Sequence, residues 1–319
     1  MRTRPGRASG PDAPPPRAAR RRPRRLPAVG ALRPGLLARL TVVGALVLGG
    51  SMTAAVGPSA TAATRPPVDY VALGDSYASG WGAGRGIPSG GDCGRSANAY
   101  GRLWAETHPT SSFRNVTCKG ATTRSVRDRQ LSALSVGTDM VTVTAGGNDV
   151  GFGTVMQACR NFVGDPTTIR AQCYAAIRDA RYRIDHRLPG NLRAMFDGIA
   201  ARTASPTRIY VLGYPRLFFE TDYCGFFGMP GDVRHDLNLT ANYLDNQIRQ
   251  ATESANARHP ERFVFVDVRQ RFAPHGLCAP DEWLLPFQGS LSDAVTTSYH
   301  PNARGQRYGY LASLNAFTG

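Results

Sequence analysis

Three polar residues stand where the chain changes direction. Ser76 ends Gly74-Asp75-Ser76, directly after the β-branched run 68–73 (VDYVAL). Asn148 lies in Gly146-Gly147-Asn148-Asp149, after a second such run at 140–145 (MVTVTA), and His300 lies in Ser298-Tyr299-His300-Pro301-Asn302 near the C-terminus. A serine hydroxyl becomes a usable nucleophile only when a base takes its proton, and attack on an acyl carbon puts negative charge on the former carbonyl oxygen. Histidine is such a base. The Asn148 amide is an uncharged donor for that oxygen, and Gly120 (in Cys118-Lys119-Gly120-Ala121) offers a backbone N–H with room for close approach. Each piece alone reads as a capped turn or a surface histidine. Their order along the chain is what points to acyl transfer.

These residues need elements to hold them. Five strand-like segments recur at 68–73, 112–117, 140–145, 208–212 and 262–267, separated by helix-like stretches at 97–108, 166–201, 237–258 and 302–317. Strands alternating with helices predict a parallel sheet covered on both faces, a three-layer α/β/α sandwich. Ligands of such sheets bind beyond the carboxyl ends of the strands. Ser76, Gly120 and Asn148 follow the first, second and third strands, and His300 follows the fifth, so one rim collects them all. The glycine turn is expected to lift Ser76 into the open.

The first residues do not fit this pattern. Residues 1–40 carry eleven arginines against Asp12 alone, 40–48 turn apolar, and Ala60-Thr61-Ala62 offers small residues for a cleaving enzyme. That is the layout of a secretory leader over residues 1–63, removed on export, with the folded domain at 64–319. The leader carries a net charge of +10 out of the formal +15, leaving +5 for the rest. The remaining arginines are scattered without a basic stripe interleaved with aromatics, which argues against a nucleic-acid partner. Cys93, Cys118, Cys159, Cys173, Cys224 and Cys278 all follow the leader and form no C-x-x-C pair, so three disulfides are expected and not zinc. Six cysteines allow fifteen pairings; joining neighbours (Cys93 with Cys118, Cys159 with Cys173, Cys224 with Cys278) closes short, local loops.

The chain resembles the GDSL, or SGNH, hydrolases, in particular the secreted bacterial lipases and esterases with three disulfides. Gly74-Asp75-Ser76-Tyr77 with Ser79-Gly80-Trp81-Gly82-Ala83-Gly84 looks like the first family block, Cys118-Lys119-Gly120-Ala121-Thr122-Thr123 the second, Gly146-Gly147-Asn148-Asp149 the third, and His300-Pro301-Asn302 the last. The resemblance covers almost all of residues 67–319. It implies a flavodoxin-like fold with a five-stranded parallel sheet, Ser76 as nucleophile and His300 as base. It also implies an oxyanion hole from the Ser76 and Gly120 N–H groups with the Asn148 amide. No metal site is suggested, since the histidines and carboxylates lack ligand spacing such as H-E-x-x-H, and no cofactor is expected. Many members place an aspartate three residues before the histidine, where this chain has Thr297. The expectation is therefore a Ser76/His300 dyad, with the imidazole oriented by the Thr297 main-chain carbonyl and Asp293 as the competing candidate. Pro301 fits the first turn of a final helix whose positive end would help keep His300 neutral.

Three apolar segments, 214–219, 226–229 and 283–287, would line an acyl pocket if they reach the rim, and would fill the core if they do not. The expected activity is hydrolysis of carboxylic esters of fatty acids through an acyl-enzyme on Ser76, by a secreted monomer that touches lipid surfaces transiently. The same machinery would serve a phospholipase or a carbohydrate O-acetylesterase. The rival outside enzymes is an inactive extracellular binding module, for which the four site residues have no obvious use.

Overall fold

Hydrophobic runs become the centre of a parallel sheet. The computed structural model describes residues 66–160, 165–222, 224, 229–287 and 297–319, without the side chains of 88–90. All belong to one unit, Ala62–Gly319; the whole leader expected at 1–63, and Asp293, lie outside the described residues.

The strands are β1 (Val68–Gly74), β2 (Thr110–Asn115), β3 (Met140–Thr144), β4 (Arg208–Leu212) and β5 (Phe263–Val266), all parallel, in the order β2-β1-β3-β4-β5. That order reverses direction between β1 and β3, which opens a crevice at their carboxyl ends. Every residue of the central β3 is buried, as both faces of a covered parallel sheet require. The second strand starts and ends two residues earlier than the sequence suggests. As an edge strand it has an alternating, half-exposed pattern (TSSFRN) with little apolar signal to fix its ends.

Between and after the strands run α1 (Ser76–Ser79), α2 (Tyr100–Thr107), α3 (Thr123–Arg129), α4 (Phe152–Cys159), α5 (Pro166–His186), α6 (Leu188–Ala200), α7 (Gly231–Arg258), α8 (Arg269–Phe272) and α9 (Ala312–Thr318). A π-helical stretch, Gly305–Leu311, leads into α9. The single helix expected over 166–201 is two. Pro189 lacks the N–H that a continuous helix needs, so the chain restarts at Leu188 with proline in its first turn, the position that tolerates it. The helix before β5 begins at Gly231 and not at 237. Helices α3, α5, α6 and α7 pack among themselves, while α2 and α8 pack on the C-terminal stretch, giving the two outer layers. The six cysteines pair as neighbours: Cys93–Cys118, Cys159–Cys173 and Cys224–Cys278.

Candidate active site

The turn after β1 is held by side chains from distant elements. Gly74 has φ +128°, and a Cβ there would collide with the Thr144 carbonyl oxygen, so only glycine lets β1 leave the sheet this close to β3. Gln130, just after α3, clamps the same residue: the Gly74 N–H donates to Oε1 (2.7 Å) and Nε2 donates to the Gly74 carbonyl (2.9 Å). Asp75 caps α1, its Oδ1 accepting from the Tyr77 N–H at 2.9 Å. Its Oδ2 accepts from the Tyr214 hydroxyl (2.5 Å), whose oxygen accepts from the Gly147 N–H (2.9 Å). One carboxyl group thus ties together the segments that follow β1, β3 and β4. Burial pushes it up to about 7, against the pull of the Tyr214 hydroxyl and the Tyr77 and Ala78 N–H groups.

Ser76 does not stand in the open. Helix α1 folds the chain back over the sheet and His300 covers the hydroxyl, leaving the residue 7% exposed. His300 Nε2 lies 2.8 Å from Ser76 Oγ. On the other side of the ring, Nδ1 lies 2.9 Å from the Ser298 carbonyl oxygen and 3.3 Å from that of Thr297. A carbonyl oxygen can only accept, so Nδ1 carries the proton, Nε2 keeps its lone pair, and the serine hydroxyl donates to it. Of the two, the Thr297 carbonyl expected from the sequence is the farther, and Ser298 is the nearer acceptor.

The histidine turn is built from backbone. Tyr299 reverses the chain at φ +66°, a left-handed conformation uncommon for a tyrosine. It is fixed by an antiparallel bridge to 284–285: the Tyr299 N–H donates to the Leu285 carbonyl (2.8 Å) and the Leu285 N–H to the His300 carbonyl (2.9 Å). The Tyr77 hydroxyl donates to the Tyr299 carbonyl (2.8 Å), and its ring packs 5.1 Å from the imidazole. Pro301 pairs with Leu284 and does not open a helix. Asn302 caps the next turn, accepting from the Arg304 and Gly305 N–H groups, so burial, not a helix end, pushes His300 down to about 4. The two carbonyls pull the other way, with less effect.

The remaining two loops are laced to the first. The Cys118 N–H donates to the Gly74 carbonyl (3.0 Å), and Asn148 Nδ2 donates to the Ala121 carbonyl (3.0 Å), leaving the second amide hydrogen of Asn148 for another acceptor. Gly120 has φ +74° with open space beside it. Asp149 accepts from the Thr123 N–H and hydroxyl (2.9 and 2.6 Å), anchoring α3 to the turn after β3. Among the described residues no group of three His, Cys, Asp or Glu side chains could hold a metal ion.

The apolar segments divide. Phe218, Met229, Trp283 and Leu284 are buried in the core, and 226–228 lie outside the described residues. Tyr214 and Leu217 are buried in the core too, and with Pro215, Phe152, Val155 and Ile184 they also line a narrow apolar cleft of about 50 Å³ that touches Gly147. Gln130 and Tyr214, which hold the nucleophile turn, carried no local signal. Gln130 is 56 positions from its partner and Tyr214 is 139 from Asp75.

Residues 72–308 match the GDSL-like Lipase/Acylhydrolase family. A lipase of Streptomyces rimosus is 39% identical over 279 residues, 88% of this chain and 96% of its own length. Lipase 1 of Streptomyces coelicolor is 36% identical over 281 residues, covering 88% of this chain and 96% of that protein. The crystal structure of an extracellular lipase from Streptomyces rimosus superposes with a TM-score of 0.68 (38% identity, 78% of this chain and 99% of that one). That of phospholipase A1 from Streptomyces albidoflavus does so at 0.71 (34% identity, 78% and 99%). With the five-stranded sheet, the laced turns and the three disulfides already in place, these matches make the chain a member of the GDSL-like lipase/acylhydrolase family.

Proposed function

We propose that this carboxylic ester hydrolase works through a Ser76/His300 dyad and cleaves esters of fatty acids outside the cell. The 2.8 Å contact between Ser76 Oγ and His300 Nε2, with Nδ1 committed to main-chain carbonyls, carries the reading. Ser76 Oγ attacks the acyl carbon as Nε2 takes its proton. The imidazolium then protonates the departing alcohol oxygen, and water repeats the sequence to release the acid. The Ser76 and Gly120 N–H groups and the free Asn148 amide hydrogen serve the developing oxyanion, each worth about 2.7 to 4 kcal/mol by analogy with measured deletions. Because the proton acceptor is held down to about 4, it is neutral and ready throughout the neutral range.

The apolar walls of the cleft at Gly147 and Tyr214 support a hydrocarbon acyl group over an acetylated sugar. Secretion is supported by the arginine-rich leader at 1–63 and by three disulfides, which persist in oxidising compartments. We read the enzyme as a monomer that meets lipid surfaces transiently. A fluorophosphonate probe is expected to label the wild type and not Ser76→Ala, with hydrolysis of p-nitrophenyl butyrate lost alongside. Labelling that survives Ser76→Ala would place the nucleophile elsewhere.

A further inference from the structure

Two loops of the proposed site meet at the hydroxyl of Tyr214. It donates to Asp75 Oδ2 (2.5 Å) and accepts from the Gly147 N–H (2.9 Å). Asp75 directly precedes the nucleophile Ser76, and Gly147 directly precedes the oxyanion donor Asn148. One phenol oxygen therefore holds together the residues behind both. Burial, with the Asp75 carboxyl beside it, keeps the phenol well above its ordinary range, so its hydrogen stays in place.

The phenol is itself fixed. The Tyr214 N–H donates to Asp245 Oδ1 on α7 (2.7 Å), and the ring meets the Tyr77 ring edge-on at 5.1 Å. A Cβ at Gly147 would lie 3.2 Å from the phenol ring, so a residue without a side chain lets the hydroxyl reach the main chain. The residue type at 75 follows from the same contacts. The phenol oxygen takes the Gly147 hydrogen, and its own hydrogen needs an acceptor. A carboxylate oxygen accepts, whereas an amide nitrogen in its place would donate.

The oxyanion forms as Ser76 Oγ bonds to the acyl carbon, so nucleophile and donor must stand at one separation. A misplacement of about 1 Å costs about 10²-fold in rate. We propose that Tyr214 is a positioning residue of the hydrolysis, its hydroxyl setting the separation of Ser76 from the Asn148 amide. The proposal rests on the Ser76/His300 reading. An interaction that serves the transition state and not the bound ester shows itself in kcat and leaves KM nearly unchanged.

The test uses p-nitrophenyl butyrate with Tyr214→Phe, with Asp75→Asn, which keeps an oxygen to cap α1, and with the double variant. Tyr70→Phe is the control for loss of a buried tyrosine hydroxyl, since the Tyr70 hydroxyl lies 2.7 Å from Thr142 Oγ1 inside the sheet. Tyr214→Phe is expected to lower kcat about tenfold or more with KM within about threefold, and Tyr70→Phe to keep kcat within about twofold. Because Tyr214 and Asp75 act as one unit, the double variant should lie within about twofold of the slower single variant. The inhibition constant of an alkyl trifluoromethyl ketone, whose tetrahedral adduct on a serine carries the oxyanion, should rise in proportion to the loss in kcat/KM. A smaller fall in kcat, a loss expressed in KM, a matching loss in Tyr70→Phe, or single losses that multiply in the double variant each overturns the proposal. Should Tyr214→Phe fail to fold, Asp75→Asn is read against the same limits on kcat and KM. If Ser76→Ala is inactive while Tyr214→Phe turns over like the wild type, only the positioning role is lost. If Ser76→Ala stays active, the Ser76/His300 reading itself fails.

Discussion

The two halves of the proposed catalytic pair are held by different means. Ser76 sits in a turn fixed by side chains: Gln130 clamps Gly74, Asp75 caps α1, and Tyr214 joins Asp75 to Gly147. His300 sits in a turn fixed mainly by main chain: the bridge to 284–285 sets its path and the Ser298 and Thr297 carbonyls orient the ring, with the Tyr77 hydroxyl on the Tyr299 carbonyl as a side-chain contribution. Placement by side chains depends on residue identity, because each donor or acceptor must be the right group. Placement by main chain depends on the path of the chain and tolerates changes of side chain. The nucleophile's half should therefore be brittle and the histidine's half forgiving.

The largest contrast is expected between Gln130→Leu and Thr297→Ala. Gln130→Leu leaves the buried Gly74 N–H without an acceptor and its carbonyl with one partner fewer, at about 1–3 kcal/mol for each group left unpaired. A loss of roughly 1 to 3 kcal/mol in urea unfolding, with lower kcat on p-nitrophenyl butyrate, is expected. Thr297→Ala keeps the carbonyl that faces Nδ1 and should cost less than about 1 kcal/mol and only a few-fold in kcat. Equal costs for the two would erase the comparison.

That contrast also explains what could be read in the sequence. The strands β1, β3, β4 and β5 announce themselves as short apolar runs, and the residues at their carboxyl ends follow from the topology. The edge strand β2 does not, since one half-exposed side of a sheet leaves no apolar pattern to mark its ends. The pairing of Ser76 with His300 was legible because the two residue types are chemically informative wherever they stand. Gln130 was not: a glutamine just after a short, arginine-rich helix looks like any solvated residue until the fold brings it to Gly74. Burial of the histidine is also a property of the packed chain, and the proline after it pointed to a helix end that lies two residues later.

A smaller effect concerns acidity. Burial depresses the imidazole from 6.5 to about 4, so Nε2 stays unprotonated as pH falls until about that value. The acid limb of kcat/KM on a neutral ester is expected near pH 4; a limb near 6.5 would mean a hydrated ring. The same shift affects stability. The neutral histidine's contribution is complete above 6.5 and is lost as pH falls towards 4. The buried carboxyls of Asp75 and Asp245, raised to about 7 and about 8, act in the opposite sense, their contribution present at low pH and lost as pH rises through those values. Between pH 6.5 and 8 the His300 contribution is already complete while those of Asp75 and Asp245 are being lost, so the melting temperature should decline across that interval.

The smallest expected change is the most telling. If main-chain carbonyls alone orient His300, no carboxylate is needed behind it, and Asp293 is the residue that would otherwise supply one. We therefore predict that Asp293→Asn keeps kcat on p-nitrophenyl butyrate within about threefold of wild type, whereas a fall approaching the roughly 10⁴-fold loss seen when a triad aspartate is amidated would contradict the dyad.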